Sequence, residues 1–243
     1  MFTAEGEVVQ PADALYKKPV LILRGSFRPL THLVMDMLER ARAQFETELQ
    51  GLGERPVVVM EMSLQDLRTG QRIDHADFLA RVDILGALGQ MVMISNFTHH
   101  YHLTPFLRRY TSKPVAFVMG VPALTELFDE KYYADLSGGI LEAMAGLFKR
   151  TISVFAHPSL DPATGRLITA ETLVVAQHLH HLHAYLLENR LLQSIRTVNK
   201  DYLHISPRDV LAKVQSGDPA WERMVPATVA ERIKQHQLFG IMG

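Results

Sequence analysis

The stretch from Val20 to Ala41, VLILRGSFRPLTHLVMDMLERA, leaves little freedom in how the chain begins to fold. Residues 20–23 (VLIL) form a continuous apolar run, the pattern of a strand buried on both faces. Gly25-Ser26 is a turn signal, and Pro29 suits the first turn of a helix, where its missing N–H is not needed. Beyond it Leu30, Leu33, Val34, Met37, Leu38, Ala41, Phe45 and Leu49 recur at helical spacing. Asp36, Glu39, Arg40, Arg42 and Glu46 fall between them, as on the polar side of an amphipathic helix. Strand, glycine turn and helix in that order put a helix N-terminus at the carboxyl end of a parallel strand, a ready site for phosphate.

The rest of the chain repeats this alternation. Residues 51–56 (GLGERP) break the first helix, and 57–62 (VVVMEM) read as a second strand. Residues 63–74 are polar and turn-rich, and a helix is predicted over 74–88 with Phe78, Leu79, Val82 and Leu85 inward. Further strands are predicted at 91–94, 115–119, 152–155 and 202–205, the one at 115–119 ended by Gly120. Strands separated by helical stretches argue for an α/β fold, a doubly wound parallel sheet with 20–23 at its centre and helices on both faces. Residues 1–18 read as an arm leading into the first strand, and 19–243 as one domain.

Charge is nearly balanced, with 25 basic and 26 acidic side chains, which argues against electrostatic capture of nucleic acid or of an anionic membrane. The absence of cysteine excludes disulfides and thiolate metal sites. The start lacks a basic-then-apolar leader pattern, and no apolar run approaches the roughly 20 residues that cross a bilayer. The resulting expectation is a soluble, cytoplasmic protein.

Residues 25–32 (GSFRPLTH) resemble the opening of the nicotinate/nicotinamide mononucleotide adenylyltransferases, Gly-(Ser/Thr)-Phe-(Asp/Asn)-Pro-x-(His/Thr)-x-x-His. Gly25, Ser26, Phe27, Pro29 and Thr31 match, whereas Arg28 and Val34 depart; Val34 stands where the family has a histidine facing the triphosphate. Arg81 sits where the family has an arginine, and 117–124 (FVMGVPAL) are similar to its apolar strand ending in Gly-Ala-Asp-x-Leu, with Pro122 in place of the aspartate. Ile205-Ser206 and the helical residues 209–214 resemble the family's Ile-Ser-Ser-Thr-x-x-Arg helix start, with Pro207, Arg208 and Leu211 departing. The tail 224–233, then Leu238-Phe239, resembles its closing helix, so the likeness covers most of residues 20–240.

This resemblance implies a Rossmann-like sheet of nucleotidyltransferase type, with ATP and Mg²⁺ as cofactors and a mononucleotide as substrate. A mononucleotide phosphate would attack the α-phosphorus of ATP and release pyrophosphate. The attacking group is already an anion, so catalysis rests on positioning and on neutralising charge. The implied nucleotide-binding residues are Gly25, Ser26, Phe27, Gly120 and Ser206. Around the transferring phosphate the resemblance leaves Thr31 and, as conceivable replacements for the missing groups, His32, Arg28 and Arg208. Plainer readings stand beside these. His32 is about 200° around a helix from Val34, so it cannot simply take that position on a regular turn, and a surface or helix-start histidine is the preferred reading. Arg28 and Arg208 read as surface charges or as anion readers. Ser26 and Ser206 read as turn and cap, and Gly25 and Gly120 as strand-to-helix turns. Because Val34, Pro122 and Leu211 fall on the chemistry, turnover is expected to be weak or absent. The alternative is a catalytically inactive nucleotide-binding or assembly component on the same fold; the acceptor and any homo-oligomer stay open.

Histidines form two clusters, His99, His100 and His102, then His178, His180, His181 and His183. The second falls on a helix predicted over 170–192, with Val175, Leu179, Leu182 and Leu186 buried. His178 with His181, and His180 with His183, are one turn apart and so suit a pair of metal ligands. With no His-Glu-x-x-His motif and no third ligand, a solvated or interface face is the reading preferred to a metal site, and a pH-sensitive surface follows from it.

Overall fold

A computed structural model describes residues 1–65, 68, 69 and 72–241. The strands in chain order are β1 (Val20–Arg24), β2 (Val57–Ser63), β3 (Arg68–Thr69), β4 (Arg72–Ile73), β5 (Met91–Ser95), β6 (Val115–Gly120), β7 (Ile152–His157), β8 (Ser159–Leu160), β9 (Leu167–Ile168) and β10 (Leu192–Ser194). Six of them form one sheet in the order β10-β7-β6-β1-β2-β5, every neighbouring pair parallel. Val20 pairs with Val57 on one side and Val115 on the other, so β1 is interior, as its apolar run predicts. The helices are α1 (Pro11–Leu15), α2 (His32–Leu49), α3 (His75–Ala87), α4 (His100–Leu107), α5 (Val121–Leu127), α6 (Gly139–Leu147), α7 (His180–Glu188), α8 (Pro207–Ser216) and α9 (Ala227–Gln235).

Alternate strand residues point to opposite faces and build two cores. Leu21, Leu23, Met60, Val118 and Phe155 pack beneath α2, α3, α8 and α9, where the Phe45 ring meets Phe155 edge-on at 5.9 Å. Val20, Ile22, Val59, Phe117 and Val154 pack beneath α4, α5, α6 and α7 on the other face. The arm at 1–18 lies against the domain: Phe2 bridges Val92 of β5, and Thr111 Oγ1 donates to the Lys18 carbonyl at 2.7 Å.

Five expectations are corrected. Leu79, expected on the inner side of α3, is 59% exposed, because the buried stripe runs through Ala80, Arg81, Ile84 and Leu85. The sixth strand is not 202–205: a 3-10 turn at Lys200–Tyr202 occupies that stretch, capped by Asn199, whose side chain accepts from Asp201 N at 3.0 Å. The edge strand is instead β10, whose three residues are too few to show any period. It cuts into the end of the helix expected over 170–192. The helix is confined to α7 after a 3-10 turn at Gln177–Leu179, because the Ala170 backbone is taken by long-range partners. Its N–H donates to Ser194 Oγ at 2.8 Å and its carbonyl sits 2.9 Å from His183 Nε2. Pro29 does not open α2: Thr31 is the N-cap, and Pro29 belongs to the turn before it, joined to Arg28 by a cis peptide bond. Asp36 is buried (5% exposed), not solvated; it accepts from Asn199 N at 2.9 Å and from Arg40 Nε at 3.1 Å, with His157 Nε2 3.5 Å away. Helical spacing cannot reveal that the segment 195–199 closes over that side of α2. The connection at 63–74 holds the β3–β4 pair, and its residues 66, 67, 70 and 71 lie outside the described residues.

Candidate nucleotide cleft

A cleft of about 530 Å³ opens at the carboxyl ends of β1 and β6, beside the first turns of α2 and α5. Its lining takes Arg24 to Phe27 and Pro29 from the first turn, Val34 and Met37 from α2, and Met119 and Gly120 from the end of β6. Pro207, from the start of α8, closes it. Turns about 180 residues apart in sequence therefore border one cavity, at the place where open α/β sheets bind ligands.

The first turn is shaped by its backbone. Phe27 has φ +49°, a left-handed conformation uncommon outside glycine, and its buried ring folds back beneath Gly25. A Cβ at Gly25 would lie 2.9 Å from Phe27 Cε1, so glycine is required by that ring. At Gly120 a Cβ would meet only ordinary contacts, 3.5 Å to Pro122 and 3.6 Å to Met37, so the cleft has room there. Buried Arg81, on α3, holds the turn from outside by donating Nη1 to the Ser26 carbonyl at 3.0 Å while Nη2 pairs with Asp77.

The cleft floor is a buried ion pair. Arg24 and Glu61 are register partners on β1 and β2, and their side chains meet twice, at 2.5 and 3.0 Å. Ser95 Oγ, from β5, also donates to Glu61, and Arg24 Nη1 reaches the Thr98 carbonyl at 3.0 Å. One wall is aromatic. His99 caps the start of α4 and stacks on Tyr101 (5.4 Å, 7°), and Tyr132 and Tyr133 stand beside them. His100 meets Phe117 edge-on at 5.5 Å. Burial, with Arg24 and then His99 adding repulsion, lowers the His100 imidazole to about 3, so it is neutral at physiological pH. Burial also lowers His99, with His102 and Arg24 contributing, and raises the Tyr133 phenol, whose hydroxyl donates to the Leu127 carbonyl at 2.9 Å.

This neutrality has a consequence for stability. In the unfolded chain a histidine takes its proton near pH 6.5, whereas folded His100 takes it only near 3. Between those values the unfolded state binds more protons, so this contribution to stability is lost progressively as pH falls below about 6.5. Chemical denaturation of the His100→Leu variant from pH 7 to 4 should therefore show a shallower loss of stability than the parent chain. Parallel curves would mean that His100 titrates normally in the fold.

The residues singled out from sequence divide into two groups. Gly25, Ser26, Phe27 and Gly120 line the cleft, and so does Val34, which also packs against the core. Thr31 is buried and acts as the N-cap of α2, its Oγ1 accepting from Val34 N at 3.4 Å, and Ser206 caps α8 in the same way for Asp209 N at 3.4 Å. Arg28, His32 and Arg208 are not in the lining. Arg28 is ion-paired to Asp77 at 2.9 Å, His32 stacks on Tyr202 at 5.0 Å, and Arg208 is exposed in the first turn of α8. Leu211 packs against the core instead of facing the cleft. The aromatic wall of Tyr101, Tyr132 and Tyr133 and the Arg24–Glu61 floor were missed. The His99-His100-Tyr101-His102 run was the available signal for the wall; nothing in sequence pairs residue 24 with 61. In the second histidine cluster, His178 lies 2.6 Å from Glu130 and His183 is buried against Ala170, so its members do not converge. Among the described residues no group of three or more His, Asp or Glu side chains could hold a metal ion, and no helix is long and apolar enough to cross a membrane.

Six parallel strands wound by helices, with a glycine turn and cleft at their carboxyl ends, define a Rossmann-like nucleotidyltransferase fold. No protein-family model matches the chain, and no curated protein matches it. Among solved structures it is similar to Plasmodium falciparum nicotinic acid mononucleotide adenylyltransferase complexed with APC. The likeness covers 93% of this chain and 98% of that one at a TM-score of 0.53 and 12% identity, which speaks to the fold alone.

Proposed function

We propose that the cleft binds a nucleotide, and that adenylyl transfer from ATP to nicotinate or nicotinamide mononucleotide is weak or absent. The similar solved structure, by name an adenylyltransferase acting on nicotinic acid mononucleotide, supports nucleotide chemistry on this fold. A cleft of about 530 Å³ with stacked imidazole and phenol rings suits a base and ribose.

The observation that carries the second half of the reading is the commitment of the arginines. Among the described residues Arg24 is the one arginine in the lining and is held by Glu61; Arg28 is turned to Asp77 and Arg81 to Ser26 and Asp77. The one carboxylate in the lining, again among the described residues, is Glu126, where Mg²⁺ beside phosphates is usually bound through one or two. A magnesium triphosphate would thus find base and sugar contacts but, among the described residues, no uncommitted guanidinium or ammonium group in the lining. Transition-state charge would go uncompensated, and each missing preorganised donor costs about 10²–10³ in rate.

Calorimetric titration with ATP and Mg²⁺, joined to a pyrophosphate-release assay with both mononucleotides, tests this. The expected result is saturable ATP binding without pyrophosphate release above background. Robust release that is lost in Arg208→Ala would show the phosphate charge relocated to α8 and would overturn the loss of transfer. No ATP binding at millimolar ligand would overturn nucleotide binding itself.

A further inference from the structure

The amino ends of the strands carry a second concavity, a groove of about 730 Å³ that shares no lining residue with the cleft. Its floor is the start of β6 and β7, from Pro114 to Ile152. One wall is the C-terminal half of α2, and the other is the chain from Arg190 to Thr197 around β10.

Its chemistry departs from that of the whole chain. Among the charged side chains that line it are three arginines, Arg40, Arg190 and Arg196, against one glutamate, Glu48; the full sequence is balanced at 25 basic to 26 acidic. Arg190 pairs with Glu48 at 3.3 Å through Nη2, which also donates to Gln193 Oε1 at 3.4 Å, and Arg40 is held at 3.1 Å by Asp36, outside the groove. The one carboxylate thus shares Arg190 with a side-chain amide and leaves a net positive charge. The exposed Arg196 side chain has no ion-pair or hydrogen-bond partner among the described residues. Its backbone is fixed, however, because Gln44 Oε1 accepts from Arg196 N at 3.1 Å and Gln44 Nε2 donates to the Ser194 carbonyl at 3.3 Å, tying α2 to the opposite wall.

Backbone strain gathers at the same place. Thr151 has φ +62° and Arg190 φ +56°, both in the left-handed region that β-branched and bulky residues avoid, and both line the groove. Such conformations persist only where the surroundings over-determine them, and they gather at ligand sites. Arg108 is part of that support, donating Nη2 to Thr151 Oγ1 at 2.8 Å.

We infer that this groove binds a phosphorylated small molecule, with its phosphate on Arg190 and Arg196 and its uncharged part along α2 at Ala43 and Thr47. Guanidinium groups match phosphate oxygens in pairs, which a carboxamide or hydroxyl lining alone would not do. The size of the groove is that of a small-ligand site. This site is independent of the nucleotide cleft, and its failure would leave the reading of the cleft untouched.

A backbone NMR titration of the full chain with inorganic pyrophosphate tests the inference. Saturable shifts are expected at Thr151, Ser153, Gln193 and Arg196. The Arg190→Gln/Arg196→Gln variant, changed only at solvent-accessible side chains, should bind about a hundredfold more weakly at these positions, about tenfold per charge-assisted contact. An Ala123→Phe variant, which fills the cleft, should leave the groove shifts unchanged. Shifts confined to Met119 and Gly120, no groove shifts at all, or undiminished groove binding in the double variant would each overturn the assignment.

Discussion

Arg81→Met should lower the free energy of unfolding by about 3–5 kcal/mol, the usual cost of removing one partner from a buried ion pair. Arg81 is only 2% exposed and Asp77 only 8%, so water cannot take over for either. Without the guanidinium, Asp77 keeps only Arg28, itself 31% exposed, and the Ser26 carbonyl loses the donor that positions it. The damage therefore reaches the cleft, since Ser26 and Phe27 line it and Phe27 already sits at φ +49°. Equilibrium denaturation is the measurement, and the Arg81→Met/Asp77→Leu pair is the control. Removing both charges should cost less than the sum of the single changes, because no charge is then left buried alone. A loss below about 1 kcal/mol for Arg81→Met, in the range of an exposed pair, would mean that the ion pair does not hold the turn.

Glu61→Ala carries a penalty of the same order, about 3–5 kcal/mol, by a different route. Glu61 is fully buried and collects both Arg24 contacts and the Ser95 hydroxyl, which ties β1, β2 and β5 together at their carboxyl ends. Alanine leaves Arg24, 13% exposed, with the Thr98 carbonyl as its remaining partner. A guanidinium released in this way would gain freedom toward the cleft. Glu61→Ala should therefore tighten binding of ATP by the folded protein even as it weakens the fold. Glu61→Gln keeps an acceptor for Arg24 and for Ser95 and should lose distinctly less stability. Denaturation with parallel ATP titrations separates these outcomes. Equal destabilisation by alanine and glutamine would show that the charge of Glu61, and not the acceptor that glutamine keeps, carries the whole effect, and would overturn the expected difference.

The fold was legible where burial imposes a local pattern. A strand covered on both faces must be apolar throughout, and the helix after it must alternate at 3.6 residues per turn; residues 20–23 and the Leu33–Leu49 stripe satisfy both, and β1 is interior as a result. The glycine turn was legible for a similarly local reason, since Gly25 must accommodate the ring of a residue two positions away. Pattern failed where an element is short or its partners are distant. β10 is three residues long and carries no period, and α7 starts late because Ala170 bonds to Ser194 and His183.

The candidate site divides along the same line. From sequence alone came the turn that borders the cleft, Gly25 to Phe27 with Gly120, and the absence of charge at Val34, because these depend on what one residue is. Where each arginine points depends on a carboxylate far away in sequence: Arg24 on Glu61, Arg28 and Arg81 on Asp77, and Arg40 on an Asp36 that long-range packing has buried. A charged side chain is long, flexible and free to turn either way until an opposite charge fixes it in a place shielded from water. Only the tertiary structure brings those partners together, so only it decided that Arg24 in the cleft is committed while Arg196, at the other end of the sheet, has no such partner among the described residues.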